Sequence, residues 1–576
     1  MDQDPDYSDI SVTYRFAIIG GGLTATSLLC QLVDELQRRS NDGARIGSLL
    51  AVEIIEKHHE VGPGLPHNPV YVLPFHITNM CAKDMTVRIS RPDDFQRWVS
   101  GNKDSLSHLF CRSEFDHYRL ARGDAQCVHY PRELMGEYLK SQFDDAVARG
   151  KKLGISVKVR NQCEVVDLRA RGSQLYLTAV EQRGTKKDIG PFHGALLATG
   201  HWSESRKREN YFSSPWPAEH LRTAIAPGAA VGVIGSSLSA IETALTLTAD
   251  GRFHRLASGK LIYEKSDAPR SLTLFSRRGL VPHVRGRIGS RLNRYFTCTR
   301  LRDLIVDHQG QVTLKEIFDL LDRELSEAYG GVIDWQQVTA PGGAPEHLLR
   351  RSIDKALKGD GAEGELVWQT VLVQIFPLVR ELYLALSENE RQRFDREYNT
   401  LFFMHAATQP AINGEKLLAL MEAGVVEVTR LGKDYRFVCN ESSHQFEFHY
   451  KTPNGQRRCA TFTYCVDARG QPRSIGTDSS KLTRNLIRRG LVQIDHGNGE
   501  QGISTAGGSI QIDPHTHRIV LPHSAEGKKS ELDLFAVGAM TRDQIIDASM
   551  AHGLARSTET IARFLIQKLS DANQPD

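Results

Sequence analysis

Two short turns carry most of the chemistry legible in this sequence. Residues 16–25, Phe-Ala-Ile-Ile-Gly-Gly-Gly-Leu-Thr-Ala, run an apolar strand into Gly20-x-Gly22-x-x-Ala25, and a helical pattern from Thr26 to Arg39 follows at once. Strand, tight turn and helix in that order are the context a dinucleotide fingerprint requires. Gly20 permits the turn, Gly22 lets a pyrophosphate approach backbone without a Cβ in the way, and Ala25 lets the helix pack on the strand. The N–H groups at the helix start, around Leu23 and Thr24, then face the phosphates. Leu49 to Ile55 reads as the next strand, with Glu56 at its end as the acid for a ribose hydroxyl. The spacing exceeds the usual ~20 residues, and a loop insertion over residues 40–48 accounts for the excess. The plainer alternative is an ordinary glycine turn with Glu56 as a solvated strand end.

The pattern recurs, altered, at Ala230-Val-Gly-Val-Ile-Gly235-Ser236-Ser237-Leu-Ser239-Ala240. Ser237 stands where the second glycine would, and a serine hydroxyl can itself donate to a phosphate. The next strand, Ser271 to Phe275, ends in Ser276-Arg277-Arg278 and not in an acid. A carboxylate there would repel the 2′-phosphate of NADP, whereas guanidinium forks pair with it. The second nucleotide therefore reads as NADPH. The alternative is that both arginines are a solvated strand end.

The chain that must position these turns has 576 residues, enough for two or three domains, with 40% hydrophobic and 24% charged residues, as in a soluble globular protein. A net charge of +3 gives no global pull toward nucleic acid or membrane. The acidic start is unlike a signal peptide, and no apolar run approaches the ~18 residues of a membrane span. The nine cysteines are scattered without a Cys-x-x-Cys, which points to a reducing cytoplasm and away from a zinc ribbon or dithiol centre. His58-His59 and His515-x-His517 lack further ligands, so no metal is expected.

Several further segments appear in a telling order. Gly62-Pro-Gly64-Leu65-Pro66-His67 follows the ribose acid. His76-Ile-Thr78-Asn79-Met80 precedes Lys83 and Met85, and Tyr130-Pro-Arg132 comes later. Ala195-Leu-Leu-Ala-Thr199-Gly200-His201-Trp202 lies between the two turns, and Val466-Asp-Ala-Arg-Gly470 and Asp533-Leu-Phe-Ala-Val-Gly538-Ala539 lie near the end. Over residues 15–135, 190–285 and about 400–570 the chain resembles two-dinucleotide-domain flavoproteins. Within these it is most similar to FAD/NAD(P)-binding proteins allied to the flavin-dependent N-hydroxylating and flavin-containing (class B) monooxygenases.

The resemblance implies an α/β fold of two Rossmann-like dinucleotide-binding domains, disulfide reductase-like, for FAD and NADPH, with a helical insertion. The expected division is 1–205 for the first part of the FAD domain, 225–285 for the NADP domain, 286–425 for the insertion and 426–576 for the return of the FAD domain. It also implies a cytoplasmic oxidoreductase. The expected reaction is NADPH-dependent oxygenation of an amine or amino-acid-like small nucleophile by O₂, through a flavin C4a-(hydro)peroxide. The rivals are an NADPH:acceptor reductase on the same fold and a non-catalytic flavin-binding sensor. Asn79 matches the asparagine that points its amide at flavin and nicotinamide. His67 is placed to contact the flavin or carry a proton, and the loop Gly62–His67, Met80, Thr199, Gly200, Gly538 and Ala539 are expected to line the FAD. Ala539 departs from the usual Asp, so the ribityl hydrogen bond must be missing or supplied elsewhere.

Residues 279–420 have no family guide. Eight arginines lie between Ser276 and Arg302, and helices are expected over Leu314–Ala328, His347–Leu357, Val367–Leu386 and Glu388–Tyr398. The insertion reads either as a wall of the substrate cavity or as an insert with a solvated basic face.

Overall fold

A computed structural model describes residues 14–39, 42–112, 128–202, 208–440, 445–471, 474–494, 508–521 and 532–572. The chain opens a parallel sheet with β1 (Tyr14–Ile19), β2 (Leu50–Ile55), β3 (Ser156–Arg160) and β4 (Gly194–Leu197). It then builds a second with β5 (Tyr211–Phe212), β6 (Ala230–Ile234), β7 (Ser271–Ser276), β8 (Val426–Arg430) and β9 (Tyr464–Asp467). Finally β10 (Asp533–Ala536) returns to the first sheet. The orders are β10-β4-β1-β2-β3 and β8-β7-β6-β9-β5, and every pairing is parallel.

The strands read as near-continuous apolar runs because both faces are covered. Phe16 and Ile18 of β1 join the core under α1 (Leu23–Arg38), α2 (Arg132–Lys152) and a C-terminal helix, while Ala17 and Ile19 face a separate core on the other side. That second face is covered by an antiparallel meander, Cys163–Arg171, Gln174–Glu181 and Lys186–Phe192. The second sheet repeats the plan. Val231 and Val233 pack under α3 (Leu238–Leu247), and a meander of Arg436–Asn440, Gln445–Lys451 and Arg457–Phe462 covers the other face. Gly232 leaves room for this layer: a Cβ there would lie 3.0 Å from the rings of Phe448 and Phe462.

This repetition corrects one boundary. The sequence assigns residues from 426 onward to the returning FAD domain, but β8 pairs with β7 and β9 with β6, so both complete the second sheet. The segment 466–470 is the second sheet's counterpart of residues 197–200, and the chain returns to the first sheet only later. Re-entry is made by β10. The helix α4 (Ala551–Asp571) follows, and it packs on α1 through Ser27–Thr558 (2.7 Å) and Gln31–Ala555 (3.2 Å).

The insertion leaves after β7 and is helical, including Leu314–Tyr329, Pro345–Lys358 and Val367–Val373. The single expected helix over Val367–Leu386 is broken near Pro377, whose ring cannot continue an interior helix, and resumes as Val379–Ala385. Most of the basic run is exposed, Arg277, Arg287, Arg294, Arg300 and Arg302 among it, and several of its members pair within the insertion. Arg291 binds Glu324 at 2.8 Å, Arg294 binds Glu327 at 2.6 Å and Arg287 donates to the Glu363 carbonyl at 2.7 Å. Arg380 ties the insertion to Asp547 at 2.7 Å. Among the described residues no helix is long and apolar enough to cross a membrane. Cys81 is disulfide-bonded, which the scattered spacing does not reveal, whereas Cys30, Cys163, Cys298, Cys439, Cys459 and Cys465 are free.

Candidate active site

The strand order reverses beside β1 in the first sheet and beside β6 in the second, and the glycine turn sits at that point. Ligands of doubly wound sheets bind in the crevice there. Gly20 has φ +105°, and a Cβ on it would lie 2.3 Å from the Ala198 carbonyl at the end of β4. Gly235 has φ +121°, and its Cβ would lie 2.9 Å from the Ala468 carbonyl at the end of β9. Both turns thus demand glycine, for backbone angle and for space.

The helices they open are uncapped. Gly22 before α1 has no side chain to cap with, and the Ser237 side chain before α3 accepts no hydrogen bond from the first turn. Leu23 and Thr24 begin α1, and the fully buried Ala25 packs beneath them. Free amides at a helix N-terminus suit a phosphate. Gly22 also faces the Cα of Gly64 at 3.4 Å from its would-be Cβ, and Gly62 donates to the Gly21 carbonyl at 2.7 Å, so the loop of Gly62, Gly64, Leu65 and Pro66 closes over the first turn. Glu56 is buried and accepts from the Gly21 N–H at 2.6 Å and the His58 N–H at 2.8 Å. A carboxylate has about four acceptor sites, so capacity remains for ribose hydroxyls.

Near this cradle three buried polar atoms have no hydrogen-bond partner among the described residues: Nδ1 of His67, Oδ1 of Asn79 and Nε1 of Trp202. Burial, with Arg132 beside it, pushes His67 down to about 3. Its imidazole is therefore neutral across the physiological range and suited to a hydrogen bond, not to the proton carriage that the sequence reading allowed. Met80 is half-buried, and its carbonyl accepts from the Thr78 hydroxyl at 3.1 Å. Thr199 and Gly200 are exposed at the end of β4. The next residues are held by Gln471, whose Oε1 lies 2.8 Å from His201 Nδ1 and accepts from the Trp202 N–H at 3.2 Å. Gly538 (φ +108°) and Ala539 are buried after β10. Of the acids that follow, Asp543 accepts from the Gly508 and Ser509 amides and Asp547 pairs with Arg380.

At the second cradle Ser236 is structural, its hydroxyl donating to the Leu280 carbonyl at 2.5 Å, and Ser239 lies in the first turn of α3. The two arginines diverge. Arg277 is exposed at the end of β7. Arg278 turns into the insertion and donates to the carbonyls of Thr339 (3.0 Å) and Glu397 (2.9 Å); burial, then Arg277 and Arg430, lower its pKa. Arg430, which the sequence reading missed, is exposed at the end of β8 in register with Ser276. It was missed because β8 was assigned to the other domain.

The cradles are joined by buried contacts. Arg132, at the start of α2, pairs with Glu242 of α3 at 2.7 Å, and His76 Nε2 lies 2.9 Å from the Thr246 hydroxyl. A separate cluster, Glu447, His449 and Cys459, brings three ligand-type atoms within 4.8 Å of one another on the second meander, away from the histidine pairs weighed in the sequence.

Residues 17–202 match a family described as FAD-NAD(P)-binding. The match covers the first glycine turn, Glu56, the Gly62–His67 loop, Asn79 and the end of β4, and this part of the chain is an FAD-NAD(P)-binding domain. Over 483 residues the chain is 25% identical to the uncharacterized protein YdhS of Escherichia coli K12, covering 79% of this chain and 83% of that one. Among solved structures it is similar to the reduced form of ornithine hydroxylase from Pseudomonas aeruginosa, at 11% identity and TM-score 0.48, covering 97% of this chain and 100% of that one. It is also similar to L-lysine 6-monooxygenase from Pseudomonas syringae, at 12% identity and TM-score 0.48, covering 97% and 99%.

Proposed function

We propose that this protein is an NADPH-oxidising FAD enzyme of the monooxygenase kind, acting on an amine or similar small nucleophile. The observation that supports it most is the pair of glycine-turned, uncapped helix N-termini, each at the switch point of its own parallel sheet and bridged by the Arg132–Glu242 pair. Bound FAD would supply two-electron exchange with a nicotinamide and reactivity toward dioxygen.

The residues of the chain bind and orient. The amides of Leu23 and Thr24 receive the first pyrophosphate, and Glu56 orients the ribose. The Ser237 hydroxyl and the first amides of α3 receive the second pyrophosphate, with Arg277 and Arg430 holding the 2′-phosphate. Asn79 offers a buried, unpartnered amide oxygen. An amide does not titrate near neutrality, so it holds a reacting group without delivering a proton to it. His67 adds a neutral hydrogen-bonding nitrogen at Nδ1.

The test mixes FAD-loaded protein with NADPH or NADH in air and a panel of small amines, counting coenzyme oxidised, oxygenated product and hydrogen peroxide. NADPH should be preferred and product should form. Flavin turnover with reduced acceptors but no oxygenated product would move the assignment to an NADPH:acceptor reductase, and failure of NADPH to bleach the flavin would remove catalysis altogether.

A further inference from the structure

The insertion lines a partly open cavity of about 130 Å³, walled by its own helices together with Ile546 from the segment between β10 and α4. Its lining is aromatic and aliphatic, with Phe318, Trp335, Trp368 and Tyr398 among the rings. Three of the polar groups in the lining are satisfied within the protein. Trp335 Nε1 donates to Asp322 at 2.6 Å, the Tyr383 hydroxyl to Asp395 at 2.9 Å, and the Thr339 hydroxyl to the Trp335 carbonyl at 2.7 Å. No carboxylate lines the space.

His405 differs from the other lining residues. It stacks on Trp368 with ring centroids 4.7 Å apart and abuts His283 at 4.4 Å, yet its ring nitrogens have no hydrogen-bond partner among the described residues. Burial, then His283 and Lys355, hold it well below the usual imidazole range, so it is neutral.

We propose that this cavity binds a small, uncharged, largely apolar molecule of one or two rings that carries a single hydrogen-bonding group for His405. The size is that of the engineered ~150 Å³ apolar cavity that stays dry and takes up benzene. The lining excludes a zwitterion or a bare ammonium, because burying a charge without a partner is strongly unfavourable. A neutral imidazole in apolar surroundings supplies one directional contact, and an empty apolar void costs stability in proportion to its volume, which a fitting occupant recovers.

The experiment is isothermal titration of the FAD-loaded full chain with indole, toluene, choline and ornithine, with the thermal midpoint recorded in parallel. Indole should bind saturably at one per chain and raise the midpoint. Leu321→Trp, which fills the space, should weaken indole at least tenfold. His405→Phe should weaken indole about fivefold, the loss of one hydrogen bond, and leave toluene within twofold. Absence of saturable indole and toluene binding to the unaltered chain overturns the proposal, as does binding that neither variant changes. Tighter binding of choline, which aromatic rings can hold by cation–π attraction, or of ornithine overturns the uncharged class. If Leu321→Trp does not fold, the unaltered chain and His405→Phe still decide.

Discussion

At the first cradle the acid at the end of β2 folds back onto the glycine turn, and Glu56 is bonded to Gly21. At the second, the equivalent strand β7 ends in Arg277, exposed, and Arg278, drawn away to the carbonyls of Thr339 and Glu397. The first turn lies under the Gly62–His67 loop, whereas the second has Ser237 with a free hydroxyl. One plan, a parallel sheet with a meander on one face, thus carries two different electrostatic endings. The lesson is that the sheet fixes where a dinucleotide lies, and the strand ends fix which one.

The sharpest break of this comparison is at the glycines. Gly20→Ala sets a Cβ 2.3 Å from the Ala198 carbonyl at a positive φ. It should destabilise the first domain by about 3 kcal/mol or more and abolish flavin retention. Gly235→Ala, with its Cβ 2.9 Å from the Ala468 carbonyl, should keep the flavin and lose reduction by NADPH. Flavin absorbance per chain, followed by NADPH titration, reads both; equal flavin loss in the two variants would refute the division of labour.

Next in size is Glu56→Gln, which removes a charged acceptor and should weaken FAD about tenfold or more in a fluorescence titration. Arg277→Ala with Arg430→Ala should weaken NADPH about tenfold and leave NADH unchanged. Arg278→Ala should instead lower the thermal midpoint by a few degrees while keeping the coenzyme preference. An Arg278→Ala variant that selectively loses NADPH would return that residue to the phosphate.

A smaller effect is expected from acid. Burial puts His67 and His76 near 3, with Arg132 the next cause for both, against an ordinary value near 6.5. The unfolded chain then binds more protons, so stability is fully present above about pH 6.5 and falls as pH drops toward the folded values. Urea midpoints between pH 7.5 and 5 should decline, and His76→Gln should flatten the slope. The least change is expected from Asn79→Ala, which leaves flavin reduction nearly intact and shifts the product-to-peroxide ratio.

Both glycine turns, Glu56 and the strand–turn–helix order were legible because they are local: a tight turn and an uncapped helix start need particular residues at fixed spacing. The fate of Arg278 and the placement of Arg430 were not, since each depends on a strand or carbonyl at least sixty residues away. The neutrality of His67 was hidden for the same reason. Burial, not the identity of its neighbours in the chain, sets its protonation.

The sequence by itself determined that the chain makes two dinucleotide turns and that their second strands end in opposite charge, because backbone sterics and side-chain charge are carried by the residues themselves. Only the tertiary structure decided that β8 and β9 complete the second sheet, that Arg287, Arg291 and Arg294 bind within a helical insertion, and that this insertion lines an apolar cavity. Parallel strand pairing and cavity walls are made by residues distant in the chain, and neither periodicity nor spacing records which distant surfaces will meet.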